Sequence, residues 1–292
     1  MNKNPFSIFD FFGYFFPGAF ACLLWCYCSL EQNAYHSPIE VFNFVADKWD
    51  IYNVKIDWLI GVTLVVICYI IGHIVAYVSS LTVERYLIWF YGYPSDFLLY
   101  DKKNVFWTDY KDLCCAKSSH WKLAIVRTYV IRFIVIMSLF PIFIVDLIVR
   151  LMRLDCFFVK KLDRYLTDVI QYKYSKLKDK MQLPDMNNYS HSDFCRIIYH
   201  YEYEKTKGHA IKMDNYVALY DFLRSLTLIL NVYAIYLLYV SLGSSFDENV
   251  TICVLPSLVA AFLPYLLFMG FFKFYRRFTL ESFMALASDD TL

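Results

Sequence analysis

Four stretches of this chain, 11–30, 58–83, 225–246 and 250–272, contain no Asp, Glu, Lys or Arg. Each reaches the roughly 20 residues that an α-helix needs to cross a hydrocarbon core about 30 Å thick. In lipid, an open chain satisfies its own backbone only as a helix. The pattern therefore predicts a membrane protein with four crossings.

Composition points the same way: 59% of residues are hydrophobic, against roughly 45–50% in soluble domains. The net charge of +1 argues against nucleic acid as a partner. That small total hides an asymmetry. Segment 31–57 carries Glu31, Glu40, Asp47, Asp50 and Asp57 against Lys48 and Lys55, and 247–249 holds two acids and no base. Segment 150–224 is densely basic, and Lys273, Arg276 and Arg277 follow the last apolar stretch. Basic loops stay on the cytoplasmic side. The expected placement is the inner (cytoplasmic) membrane, multi-pass, with both termini and the middle of the chain inside. Lys3 is the sole basic residue of the leading segment and no small-x-small site follows Leu30, so the first stretch is expected to stay as a span.

Segment 123–149 breaks the pattern, because Arg127, Arg132, Pro141 and Asp146 interrupt it. A single crossing there would export the most basic part of the chain, against the charge rule. The expectation is a re-entrant or interfacial helix, or one packed in the bundle, kinked at Pro141, with a true crossing as the lesser alternative. Region 84–223 opens with a crowd of aromatics, Trp89, Tyr91, Tyr93, Phe97, Trp107 and Trp121 among them, a composition suited to the bilayer interface or to packing on the helices. A turn is expected at 92–96. Leu154, Phe158, Leu162, Leu166, Val169 and Leu177 then recur near helical spacing, which predicts one long basic helix. A break follows at 183–192, a second helix from about Ser192 to Lys205, and a third from about Asp214 into the span. No period-2 strand pattern stands out. The predicted class is an all-α polytopic membrane protein with four transmembrane helices, one re-entrant or interfacial helix and a helical cytosolic region. Its parts are an N-terminal hairpin (1–83), a cytosolic and membrane-associated region (84–223), and a C-terminal hairpin with a cytosolic tail (224–292).

Residues with chemistry are few. His191, Cys195, His200 and His209 invite comparison with zinc ligands, but their spacing matches no zinc motif, so no metal is expected. Arg196 and His200 have three residues between them, fewer than the arginine–histidine pair of HEPN ribonucleases. The nine cysteines avoid the two exterior loops, so no disulfide framework is expected. A cysteine inside a span lacks the base that would make it a thiolate. The chain has no Gly-rich phosphate loop, GxSxG elbow or HExxH. Neither catalytic residues nor cofactors are expected.

The polar residues of the apolar stretches carry more. His73 lies within the second stretch, with Tyr69 and Tyr77 one turn to either side and the small pair Gly72 and Ala76 beside it, continued by Ser80. Small residues let helices approach closely, and an ionisable group in a span is a functional candidate by default. Asn231 is a further member of this candidate pore or helix seam. A second group, Glu84, Arg85, Arg224, Arg276, Arg277 and Glu281, falls where apolar stretches meet charged ones and is read as a collar at the inner boundary. Snorkelling anchors are the competing explanation for its arginines.

The stretches 9–18, 220–226 and 274–278 resemble those of uncharacterised bacterial multi-pass membrane proteins, some of them effectors of anti-phage or abortive-infection systems. The resemblance implies an architecture and a role in defence, and transfers no site residue. The leading expectation is a membrane effector or channel-like protein that oligomerises through its spans under control of its cytosolic helices. A non-catalytic anchor for a cytosolic protein bound through 150–224 is the alternative. A small transporter or membrane enzyme comes third. The expected partners are the lipid bilayer and further copies of the chain.

Overall fold

The computed structural model describes residues 10–31, 58–99, 121–154, 159–183, 191–205, 207–244 and 250–291, and every regular element among them is helical. A π-helical turn, Phe11–Phe15, leads into α1 (Phe16–Glu31). The chain returns as α2 (Trp58–Ser79), which ends in a second π-helical turn, Ser80–Glu84. Two short helices follow, α3 (Arg85–Tyr91) and α4 (Pro94–Leu99). Gly92 separates them with φ 81°, a left-handed value that a side chain would resist; the turn expected at 92–96 is confined to 92–93, and Pro94 already opens α4.

α1 and α2 lie in backbone contact at two glycines, Gly18 against the Cys68 carbonyl and Gly72 against that of Tyr14. Along this seam the thiols of Cys22 and Cys68 stand 4.0 Å apart. In a chain whose remaining cysteines are serine, a mild oxidant is expected to join these two. Mass analysis of the linked peptides reads the result, and the failure of any link to form would contradict the register of α1 on α2.

α5 (Trp121–Ser138) and α6 (Phe140–Leu151) meet at a bend of 93° at Leu139. Pro141 sits in the first turn of α6, where its missing N–H deprives the helix of no bond. On the other side of the break α5 ends with orphan carbonyls, and the Asn231 amide donates to one of them, Ser138 O, at 2.8 Å. The kink expected near Pro141 is thus a full corner.

α7 (Arg164–Met181) begins ten residues later than the apolar spacing predicts. Asp163 is extended and its carboxylate caps the Arg164 N–H, while the N–H of Leu162 donates to the carbonyl of Leu98. That cross-chain bond holds 159–163 out of the helix, and 155–158 lie outside the described residues. α8 (His191–Lys205) follows the break, most of which also lies outside them. α9 (Lys207–Ser244) starts seven residues earlier than expected and runs unbroken into its apolar part. α10 (Val250–Ala287) packs back along it. At 38 residues each, the two helices are about 57 Å long, close to twice the hydrocarbon core.

Three helical stretches are long and apolar enough to cross a membrane: Phe11–Cys28, Gly61–Leu99 and His209–Ser241, with the bent pair a fourth if it counts as one. In the first two only 17% of the most apolar window is buried by the protein, and 33% in the third. Leu64, Ile70, Ile74, Phe133 and Ile134 lie bare on their surfaces. Contiguous apolar surface of this extent marks a site of interaction with a membrane or with another protein. The fourth predicted crossing, 250–272, opens with residues whose side chains lie outside the described set.

The core sits where these apolar helices meet the polar ones, and it is aromatic. Tyr86 and Tyr91 from α3, Phe97 from α4, and Phe268, Phe271 and Phe272 from α10 are buried together. Leu139 and Ile142 at the bend and Ile170 and Leu177 of α7 close over them. The aromatics of 84–99 thus pack against the helices.

Candidate functional site

Three polar clusters flank this core. In the first, Arg224 is buried on α9 just before its apolar part. Its guanidinium bonds Asp221 one turn back at 2.8 Å, the Glu84 carboxylate across the interface, and the Ser79 hydroxyl at 3.2 Å. Glu84 ends the π-helical turn that closes α2. A π turn carries one residue more than an α turn, so it re-aims everything after it. The other π turn, Phe11–Phe15, packs against α2 and α9, and Phe12 and Phe16 set their rings edge-on to Phe222. One arginine thus bridges two carboxylates and ties the N-terminal hairpin to α9.

The second cluster surrounds Asp146, which is fully buried on α6. It accepts hydrogen bonds from the hydroxyls of Tyr86, at 2.6 Å, and Tyr91, and pairs with Arg150 one turn on at 2.6 Å. Arg150 also donates to the Tyr86 hydroxyl at 3.3 Å and lies over the Phe90 ring at 4.2 Å. A buried carboxylate persists only when paired and hydrogen-bonded, and this one is. The arrangement latches the bent helix pair onto α3. Of its members only Asp146 stood out in the sequence, as an acid in an apolar run; nothing in the spacing pointed to Tyr86 or Tyr91.

The third cluster clasps the C-terminal end. Asp289 binds the Lys205 ammonium, and its backbone carbonyl accepts from Lys173 at 2.5 Å. The N–H of Thr291 donates back to the Asp289 carboxylate at 2.9 Å. Burial pushes the Asp289 carboxyl upward, but Lys205 and Thr291 outweigh it and hold the group below the usual carboxylate range. A depressed native pKa gives stability that is present above the unfolded value and lost as pH falls through the native one. Lys205 stays charged throughout that window. The clasp is therefore expected to open below about pH 4. Hydrogen exchange at 284–291, corrected for intrinsic rate, should rise there, and Asp289→Asn should show the same rise at neutral pH.

The residues singled out from the sequence fall into separate places. Gly72 and Ala76 are buried, and Gly72 lies on the α1 seam. His73 is exposed, stacked on the Tyr14 ring at 3.9 Å and edge-on to Tyr69 at 4.6 Å. Tyr77 is 66% exposed, and Ser80 bonds back to its own helix. Asn231 is buried at the α5 corner, so it does not join His73 in one seam. Of the charged group, Glu84 and Arg224 meet, whereas Arg85 and Arg277 are exposed. Arg276 donates to the Lys160 carbonyl at 3.1 Å, and Glu281 receives His209 at 2.9 Å and Lys212 at 3.5 Å. These charges form separate contacts and no closed ring.

Among the described residues no cluster of three or more His, Cys, Asp or Glu is arranged to hold a metal. The His191 side chain lies outside them, and His200 sits exposed beside the Tyr199 ring. Burial, aided by the charge of Asp96, pushes the Cys195 thiol up to about 12, which makes it a poor nucleophile at neutral pH. An apolar cavity of about 480 Å³ lies between α1, α2 and α9, with Leu24, Trp25, Val75, Leu228 and Tyr236 on its walls. Comparison with known proteins finds no family model, curated protein or solved structure that matches this chain.

Proposed function

We propose that the chain is a multi-pass protein of the cytoplasmic membrane, with both termini and its polar helices inside, and that it works as a regulated membrane effector or channel-like protein. The observation that carries this reading is the continuity of α9 and α10. Each runs without a break from the polar helical body into the apolar section. A helix is stiff over this length, so a displacement of α7 or α8 reaches the apolar half through them. The Arg224 contacts to Glu84 and Ser79 pass it on to the N-terminal hairpin. Copies of the chain would meet through the bare apolar faces, above all that of α2 and its π turn, which carries Ile70, Ile74, Tyr77 and Leu81. A role in phage defence rests on the sequence resemblance alone.

Expression in a bacterium loaded with a voltage-sensitive dye tests the reading. The wild-type chain is expected to depolarise the cells. Arg224→Gln should blunt that response while the protein still sediments with membranes. A wild type that leaves the potential unchanged at every expression level would defeat the channel reading. It would favour the second one, an anchor for a cytosolic protein, which the exposed α7 face supports: Tyr165 and Tyr172 stand open there beside Lys176 and Lys180.

A further inference from the structure

α10 leaves its apolar stretch at Phe272 and presents Lys273, Arg276 and Arg277 within the next two turns. Like charges at i, i+3 and i, i+4 repel one another. No carboxylate among the described residues pairs with any of the three. The nearest acid along the helix, Glu281, is taken up by His209 and Lys212. Lys273 and Arg277 are exposed. Arg276 spends one Nη on the Lys160 carbonyl, while its Nε–H is sealed from solvent without an acceptor. The three cations border a cavity of about 550 Å³, whose other described walls include Met269, Phe272 and Leu280. One end of this cavity is therefore lined by three cations, and the other is continuous with the apolar part of the helix.

We propose that this groove binds an anionic phospholipid of the leaflet facing the basic side of the protein. Its phosphate would lie among Lys273, Arg276 and Arg277, and the upper part of an acyl chain would lie along Met269. The chemistry follows from the donors. A guanidinium fork matches phosphate oxygens, and juxtamembrane cations are drawn to anionic headgroups. A zwitterionic headgroup brings its own ammonium and leaves the cations uncompensated. A soluble phosphate satisfies the charges but leaves the apolar wall empty. The proposal rests on the membrane reading above, since only a spanning α10 sets Phe272 and Lys273 at headgroup depth.

Native mass spectrometry of the full chain, released from nanodiscs of equal phosphatidylglycerol and phosphatidylcholine, tests it. Wild type is expected to retain phosphatidylglycerol at least about tenfold over phosphatidylcholine. Lys273→Gln combined with Arg276→Gln and Arg277→Gln should lose that preference, whereas Lys176→Gln with Lys180→Gln on α7 should keep it. Equal retention of both lipids by wild type would overturn the proposal whether or not the triple variant folds. So would an undiminished preference in a folded triple variant, or displacement of the lipid by millimolar inorganic phosphate. Carbonate extraction of the same membranes separates the two claims. A chain that washes off fails the membrane reading, and one that stays but shows no lipid preference fails only the site.

Discussion

Gly72→Leu is expected to prevent α1 and α2 from closing on each other. A β-carbon placed on Gly72 would lie 1.8 Å from the Tyr14 carbonyl oxygen, and one on Gly18 would lie 1.8 Å from that of Cys68. Both obstacles are backbone, so no change of rotamer relieves them and the helices must move apart. Crowding a packed interior costs about 1–3 kcal/mol when side chains can adjust, and a rigid helix on the other side sets the upper end of that range as the floor here. The loss also propagates. Separating the pair dislodges the π turn at Phe11–Phe15 and removes Phe12 and Phe16 from Phe222. Unfolding in graded sodium dodecyl sulfate should show the N-terminal hairpin melting early in Gly72→Leu. Gly270→Ala serves as a milder comparison, because its new methyl would meet only the flexible end of Leu223, at 3.2 Å. A Gly72→Leu variant as stable as wild type would refute the close seam.

Arg224→Met should be the second severe change, for electrostatic reasons. It leaves Glu84 and Asp221 facing each other in a partly buried site with no cation between them. Removing one partner of a buried ion pair costs about 3–5 kcal/mol, while replacing the whole group with apolar or neutral residues is often close to neutral. The triple variant Glu84→Gln, Asp221→Asn, Arg224→Met is accordingly expected to recover most of the stability lost by Arg224→Met alone. Under the proposed function it should not recover depolarisation, because the charged tie between α2 and α9 is gone. Recovery of both would reduce the cluster to a structural role. Failure to recover stability would show that the arginine is held by partners other than these carboxylates.

The all-helical character was legible because long apolar runs without a period-2 pattern favour helix over strand, and the corner at 139–141 announced itself through a proline in a run interrupted by charge. Gly72 and Ala76 were readable as a seam from their size and spacing alone. What meets Gly72 was not, since it is the backbone of Tyr14, 58 residues earlier, and carbonyl oxygens carry no sequence mark. The π turns were invisible for a related reason. Ser80–Glu84 has an ordinary composition, and only its hydrogen-bond register sets it apart. The apolar spacing of 154–162 misled, because Leu162 gives its N–H to Leu98 and Asp163 starts the helix afresh. An aspartate ahead of a helical pattern is a cap signal, and weighing it against the spacing would have placed the start of α7 correctly. The tyrosines of Asp146 stayed hidden because a buried carboxylate advertises that it needs partners, not where along the chain they lie.

The two π turns also set how this protein can change shape. Each holds one surplus residue wound into an otherwise continuous helix. Returning that residue to α geometry exchanges a few backbone bonds for others of the same kind, so the helix stays whole. Everything beyond it rotates by about 100° and advances by about 1.5 Å. Glu84 would swing off Arg224, and the rings of Phe12 and Phe16 would leave Phe222, without any helix unfolding. Such a change would make each π turn, at the end of α2 and the start of α1, act as a screw joint.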